Sequence, residues 1–118
     1  ILHLDQPRRV FPCLPLTERP KVDQIHIFTN EVKQLRERGI KVILLPPSYA
    51  LTSFNMSKSY IDEIASTLEI DSVPFVVSPA RYALNDTLFW NTAYHLSAEG
   101  RRLRTDLVIA DLDSIGIN

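Results

Sequence analysis

The sequence predicts an open α/β structure in which helices pack against a parallel sheet. Two observations predict this class. Apolar runs of strand length alternate with amphipathic stretches along the chain, and the 118 residues, 45% of them hydrophobic, suffice for the core of one domain. About three strands and three helices are assigned. Because each strand joins the next through a helix, right-handed crossovers make the strands parallel.

The amino-terminal third contains a strand, a connector and a helix. Residues 1–5 form a short apolar strand, and residues 6–20 carry four of the eight prolines, which exclude a continuous helix there. From residue 21 to residue 38, apolar side chains recur at three- and four-residue steps, which indicates an amphipathic helix. Pro20 suits its first turn and Gly39 its carboxyl cap. The apolar positions are Val22, Ile25, Phe28, Val32 and Leu35.

Two further strands flank the second helix. Residues 40–45 are almost continuously apolar, which suits a strand covered on both faces, and two prolines end the run at once. Polar side chains at residues 55–59 favour the start of a helix whose apolar stripe continues to Leu68. Residues 72–78 are rich in β-branched side chains, and Pro74 confines this strand to a start, an edge or a bulge.

The last helix begins at Ser97, a residue suited to the amino-terminal cap, and ends near Gly116. Three strands are few for a sheet covered on both faces. We therefore expect further strands in a missing amino-terminal segment or in a partner chain. The chain also starts with Ile1, inside a predicted strand, so we expect a piece of a longer protein.

Composition excludes several classes of function. Thirteen basic and fourteen acidic residues leave a net charge of -1, without the basic excess that nucleic-acid binding requires. The single cysteine, Cys13, excludes an internal disulfide and a multi-cysteine zinc site. His3 and His26 have no second ligand at metal spacing, so neither a metal nor another cofactor is predicted. No apolar run approaches the length of a membrane span.

A catalytic or binding site is expected in the loop that follows the last predicted strand, because ligands of open α/β sheets bind beyond the carboxyl ends of the strands. Residues 79–96 form the longest such loop, and His95 near its end can accept and return a proton near neutral pH. His95 alternatively caps the helix or fills a polar pocket. Trp90 and Tyr94 line an acyl or sugar pocket in one interpretation and pack the loop onto the core in the other.

The segment from Phe89 to Arg101, which contains His95-Leu96 and Gly100, resembles the carboxyl-terminal block of SGNH (GDSL-type) hydrolases and related acyltransferases. In that block an aromatic pair and an acidic residue precede His-Leu, a small helix-capping residue and a glycine. The resemblance covers roughly residues 22–115. It implies a three-layer, flavodoxin-like parallel sheet, of which this chain holds the carboxyl-terminal portion. It also implies that His95 is the general base for a serine nucleophile.

The chain departs from this block at two places. The position three residues before the histidine, where the family has an aspartate, is Thr92, and the residue four before is Asn91. Asn91 is then the candidate that orients the ring, while Asp86 is an outside candidate more typical of a turn. Moreover, no Gly-Asp-Ser occurs, and Ser48 and Ser53 lack the glycine-assisted turn that exposes a nucleophile.

The resemblance therefore implies that this chain is the carboxyl-terminal part of an SGNH-like serine esterase or acyltransferase. By itself, this part is expected to be inactive. Its expected substrate is a small-molecule ester or an acylated glycan. His95 and Asn91 are the predicted catalytic residues, and Thr92, Tyr94 and Trp90 are the predicted binding residues. The alternative is a noncatalytic α/β binding or interaction module, a degenerate hydrolase that has lost the acidic residue.

Overall fold

A computed structural model describes residues 15–117, in which helices predominate around a small parallel sheet. The class is thus mixed α/β, as predicted. The elements in these residues are the helices α1 (Val22–Glu37), α2 (Leu51–Met56), α3 (Lys58–Ile70) and α4 (Ala98–Ser114), the strands β1 (Tyr49–Ala50) and β2 (Ala83–Leu84), and two 3-10 turns, Pro79–Tyr82 and Asp86–Leu88.

The helices follow the sequence predictions closely at their ends. Gly39 stops α1 with a φ of 85°, which a residue with a Cβ rarely adopts, and its N–H donates to the Arg36 carbonyl at 3.0 Å. The second predicted helix, from residues 55–59 to Leu68, corresponds to α3, and the short helix α2 before it was not predicted. The buried Ser57 sits at the junction, where its Oγ accepts a hydrogen bond from the Leu16 N–H at 2.8 Å. A buried side chain bonded to a distant segment therefore marks the break.

The sheet is smaller than predicted. β1 and β2 are parallel, with Tyr49 opposite Ala83 and Ala50 opposite Leu84. The predicted strands at residues 40–45 and 72–78 meet at one parallel bridge, between Leu44 and Phe75. Residues 15–117 thus contain a two-stranded sheet and do not form the three-stranded flavodoxin-like sheet. The first predicted strand, residues 1–5, lies outside the described residues.

Proline and arginine account for the limited pairing of the two apolar runs. Pro74 has no N–H to donate to a ladder next to Phe75, and two prolines follow directly after Leu45. The Arg36 Nη2 donates a hydrogen bond to the Val42 carbonyl at 2.9 Å. Most residues of the two runs are half-buried, and between the runs the Leu44 carbonyl accepts from the Val76 amide at 2.9 Å.

The main core lies where both strands meet the loop that precedes α4. Its fully or almost fully buried members come from β1, α2, β2 and that loop, and Ile61 of α3 and Leu107 of α4 pack against them. The buried members are Tyr49, Ala50, Phe54, Leu84, Phe89 and Ala93. Three of these six residues, Leu84, Phe89 and Ala93, lie in the segment 79–96 that sequence analysis selected for chemistry, so this segment is part of the core.

A carboxylate at the end of α3 attaches α1. The Asp71 Oδ2 accepts hydrogen bonds from the Thr29 hydroxyl at 2.7 Å and from the His26 Nδ1 at 2.6 Å. These two bonds, that from Thr29 first, hold the pKa of Asp71 below its ordinary value. The pair of helices is thus joined by a bond that depends on an ionised carboxylate.

A second carboxylate attaches α4 to the turn before β2. Asp111 is buried, with 7% of its surface exposed, and it accepts from the Arg81 Nε at 3.0 and 3.1 Å and from the Tyr82 hydroxyl at 2.8 Å. The bond from Arg81, and then that from Tyr82, holds the pKa of Asp111 below its ordinary value. Burial and the bond to Asp111 raise the pKa of Tyr82 to about 12. Arg104 covers the Tyr82 ring at 5.0 Å.

The Asp111 pairing is expected to make the folded chain less stable at acidic pH than at pH 7. A carboxyl whose pKa is lower in the folded chain contributes stability above its unfolded pKa of about 3.9, and this contribution is lost as the pH falls through the folded pKa. We expect Asp111→Asn to lower the melting temperature at pH 7 by at least about 5 °C. The variant should also lose less stability than the unaltered chain between pH 7 and pH 3, measured by urea unfolding at each pH.

Asp113→Asn is the matched control, because Asp113 lies on the same helix and is exposed. It should keep the melting temperature and pH dependence of the unaltered chain. Equal pH slopes for Asp111→Asn and the unaltered chain would show that the Asp111 pairing does not determine acid stability.

Candidate functional site

The candidate site is built on residues 89–96, a loop closed at both ends. Phe89 and Leu96 form an antiparallel bridge, and inside it the Trp90 N–H donates to the His95 carbonyl at 2.8 Å. The buried Ala93 accepts a hydrogen bond from the Ala50 N–H at 3.0 Å, which joins the middle of the loop to the carboxyl end of β1. The loop thus follows β2 along the chain and contacts the carboxyl end of β1. Neither strand is a predicted one, and β2 lies within residues 79–96, which sequence analysis assigned to the loop.

The start of α4 sets the far end of the loop. As predicted, Ser97 caps the helix, and its Oγ accepts from the Gly100 N–H at 3.1 Å. The Ser97 N–H and hydroxyl both donate to the Leu88 carbonyl, at 2.8 and 3.0 Å. Gly100 is buried, and a methyl group there would collide with the Leu88 carbonyl oxygen and approach the Leu96 side chain. Hence the start of α4 contacts the backbone of Leu88, the residue just before the loop.

The structure brings His95 and Asn91 together. Their Nδ1 and Oδ1 atoms are 3.1 Å apart, and both residues are exposed. When the asparagine accepts through Oδ1, Nδ1 carries the proton and Nε2 is left as the basic nitrogen. Within residues 15–117 the ring makes no other hydrogen bond. A neutral amide therefore contacts one nitrogen of the ring and leaves the other unbonded within the described residues.

The other predicted residues have different positions. The Thr92 hydroxyl accepts from the Tyr94 N–H at 3.2 Å, so it shapes the turn and makes no hydrogen bond to the His95 ring. Trp90 is half-buried. The Asp86 carboxylate accepts from the Thr52 N–H at 3.0 Å, at the first turn of α2, and no hydrogen bond or ion pair joins it to His95. Asn91 alone of these residues makes a hydrogen bond to His95 through its side chain.

Tyr94 joins the loop to an apolar pocket, which it lines together with residues that sequence analysis did not select, whereas Trp90 is not among the lining residues. The Tyr94 ring stacks on that of Tyr49, with centroids 5.3 Å apart and planes 4° from parallel, although Tyr94 is 54% exposed. The two rings line a cavity of about 240 Å³. Its walls come from segments far apart along the chain, so no local pattern reveals it.

The serines of the chain's strand-end segments are enclosed. Ser53 is buried within α2. The Ser48 Oγ is also buried and has no hydrogen-bond partner in residues 15–117. Neither lies on an exposed turn of the type that presents a nucleophile.

Groups that hold metals are not assembled in the part of the chain that the structure describes. Residues 15–117 contain no cluster of three or more His, Cys, Asp or Glu side chains suited to a metal ion. Among the same residues, no helix combines the length and apolar character needed to cross a bilayer.

Comparison of this chain with protein-family models, with curated proteins and with solved structures finds no match. A functional assignment therefore depends on the residues and their geometry.

The close contact at Gly100 predicts an unusual substitution effect. Alanine ordinarily stabilises a helix relative to glycine by about 0.5–1 kcal/mol. Gly100→Ala should instead lower the free energy of unfolding by at least about 1 kcal/mol, because the methyl group pushes α4 away from the Leu88 carbonyl. Urea unfolding measures the change, and Arg101→Ala, at an exposed neighbouring position, should leave stability within about 0.5 kcal/mol. Unchanged stability of Gly100→Ala would mean that α4 does not hold the loop in this way.

Proposed function

We propose that this chain is the carboxyl-terminal part of an SGNH-like serine esterase or acyltransferase in which His95 is the general base. The contact between the His95 Nδ1 and the Asn91 Oδ1, 3.1 Å long and beyond the carboxyl ends of two parallel strands, carries the proposal. The cap at Ser97 and the close approach of Gly100 support it, because both match the residues through which the segment resembles the family block.

The chemistry assigned to His95 needs one basic nitrogen. The Nδ1 proton bonds to Asn91, and Nε2 removes the proton of a serine hydroxyl as its oxygen attacks the ester carbonyl. The imidazolium then gives this proton to the leaving alcohol. Asn91 holds the ring by a hydrogen bond but supplies no negative charge, so the imidazolium is stabilised less than beside an aspartate.

The nucleophile is assigned to another segment of the protein. Ser53 is buried in a helix, the Ser48 Oγ is buried, and the sequence has no Gly-Asp-Ser. Residues 1–118 alone are therefore expected to be inactive. The proposed substrates are small-molecule esters or O-acylated glycans, which match a loop with an exposed aromatic ring and a chain with a net charge of -1.

One observation favours the noncatalytic alternative. Within residues 15–117 no carboxylate bonds to the His95 ring, and the amide of Asn91 occupies the orienting position. A binding module that had lost its acid would show the same arrangement. The two functions differ in the response to substitution at the loop.

The test uses the full-length protein and short-chain aryl esters. His95→Ala should lower kcat by about 10² or more, the range of a general base. Asn91→Ala should lower kcat less, by about tenfold. Asn91→Asp should keep or raise the kcat of the unaltered protein, because a carboxylate stabilises the imidazolium. The release of aryl alcohol measures each rate.

His26→Ala is the matched control. His26 is another exposed histidine with a hydrogen-bonded Nδ1, but it lies on α1 and bonds to Asp71. Its loss should leave kcat unchanged in the folded protein. Equal turnover by His95→Ala and the unaltered protein would exclude His95 from the mechanism, and absence of turnover from the unaltered protein would favour the binding module.

A further inference from the structure

Two tyrosine rings are in contact directly beside His95. Tyr49 lies in β1 and is 7% exposed, whereas Tyr94 immediately precedes His95 and is 54% exposed. The rings are 4° from parallel and their centroids are 5.3 Å apart, within the range of about 4.5–7 Å that offset-stacked pairs adopt. A ring that faces solvent on one side is thus held against a ring of the core.

The backbone just before Tyr94 is fixed from the same strand. The Ala93 carbonyl accepts from the Ala50 N–H at 3.0 Å, and the Tyr94 N–H donates to the Thr92 hydroxyl at 3.2 Å. Both polar groups of the planar peptide unit between Ala93 and Tyr94 are therefore bonded, which fixes its orientation. Because Ala50 directly follows Tyr49, β1 holds this peptide unit and the Tyr94 ring from adjacent positions.

The next peptide unit, between Tyr94 and His95, has no such bonds. Within residues 15–117 neither the Tyr94 carbonyl nor the His95 N–H makes a hydrogen bond, and the next bonded group is the His95 carbonyl, which accepts from Trp90. Rotation about the bonds that flank this unit changes the direction of the His95 side chain, and no hydrogen bond to the unit opposes it. The stack opposes it instead, because a ring held at its far end restrains the backbone to which it is attached.

The imidazole ring depends on this restraint. His95 and Asn91 are both exposed, so their 3.1 Å contact competes with hydrogen bonds to water. The contact orients the ring only while the backbone keeps the two side chains facing each other. A stacked aromatic pair favours its held arrangement by roughly 2- to 12-fold over the separated one, which is enough to decide the orientation of an exposed side chain.

We infer that Tyr49 is a positioning residue for His95 and that it acts through the ring of Tyr94. The stack holds the backbone from which the imidazole projects, so that Nδ1 faces Asn91. The consequence for turnover rests on the proposed function. The effect on the ring does not, because it requires neither a nucleophile nor a substrate.

The ring orientation is tested by nitrogen-15 NMR of His95 in the full-length protein at pH 9, where an ordinary imidazole is neutral. His95→Ala identifies the signals. The unaltered protein should show one tautomer, with the proton on Nδ1 toward Asn91. Tyr49→Leu removes the stacked ring and keeps an apolar side chain, so both nitrogen signals should move toward those of a free imidazole. Free-imidazole signals in the unaltered protein would overturn the inference.

The conservative variant separates the ring from its hydroxyl. Tyr49→Phe keeps the stacking surface and removes the hydroxyl oxygen, which lies 3.5 Å from the Ser57 Oγ. It should keep the nitrogen signals of the unaltered protein. Signals that move equally in Tyr49→Phe and Tyr49→Leu would contradict a role for the stack.

Two further variants keep the test independent of the folding of Tyr49→Leu. Tyr94→Leu removes the other ring at an exposed position and should move the nitrogen signals in the same direction. Tyr60→Leu is the matched control, because Tyr60 is a half-buried tyrosine of α3, and it should leave the signals unchanged. Unchanged signals in the folded Tyr94→Leu or Tyr49→Leu protein, or an equal change in Tyr60→Leu, would overturn the inference.

Hydrolysis of short-chain aryl esters tests the consequence for turnover. Tyr49→Leu should lower kcat by roughly 2- to 12-fold, the factor that the stack contributes, and leave KM within about twofold. Tyr49→Phe should retain the kcat of the unaltered protein. A raised KM at unchanged kcat would show that the stacked rings bind substrate and do not position the base.

The outcomes separate this inference from the proposed function. Nitrogen signals that depend on the Tyr49 ring, without ester turnover by the unaltered protein, support the positioning and remove the catalytic assignment. Turnover that depends on His95 but not on the Tyr49 ring supports the catalytic assignment and overturns the positioning.

Discussion

The burial of Phe89 and Ala93 is the constraint on which the rest of the site depends. Both residues are fully enclosed in the core, and Ala93 also accepts the hydrogen bond from the Ala50 N–H. Burying a phenylalanine side chain contributes about 1.5–3 kcal/mol, and a buried backbone bond avoids the cost of an unpaired carbonyl. With these anchors in place, Asn91 and His95 face solvent from a loop whose ends and middle are held.

Polar bonds between helices compensate for the small sheet. Two residues per strand cannot align four helices, so side chains from adjacent elements perform this task. Asp111 and Asp71 each accept two or more bonds in partly buried surroundings. The pair between Lys58 and Asp62, in contrast, is exposed on both sides and contributes little. These two carboxylates, of which Asp111 is buried and Asp71 partly buried, therefore hold α4 and α1, and exposed charges mainly keep the surface polar.

Local signals explain which elements could be predicted from the sequence. The helical periodicity of residues 21–38, the cap at Ser97 and the four-residue spacing of Asn91 and His95 all lie within short segments. The sheet depends on distant partners: the apolar run 40–45 has the composition of a paired strand, yet only Leu44 meets one. The two-residue strand at Tyr49 is too short for any periodicity. The Asp111 cluster joins residues far apart along the chain, with Arg81 30 and Tyr82 29 positions before Asp111, and no single-sequence pattern encodes such contacts.

Trp90 gives this architecture an optical reporter. It is the single tryptophan of the chain, and it is half-buried. Its backbone N–H donates a hydrogen bond to the His95 carbonyl. Indole emission thus originates from the loop alone, without background from the helices. Changes in its wavelength or quenching therefore follow the opening of this one segment and need no attached dye.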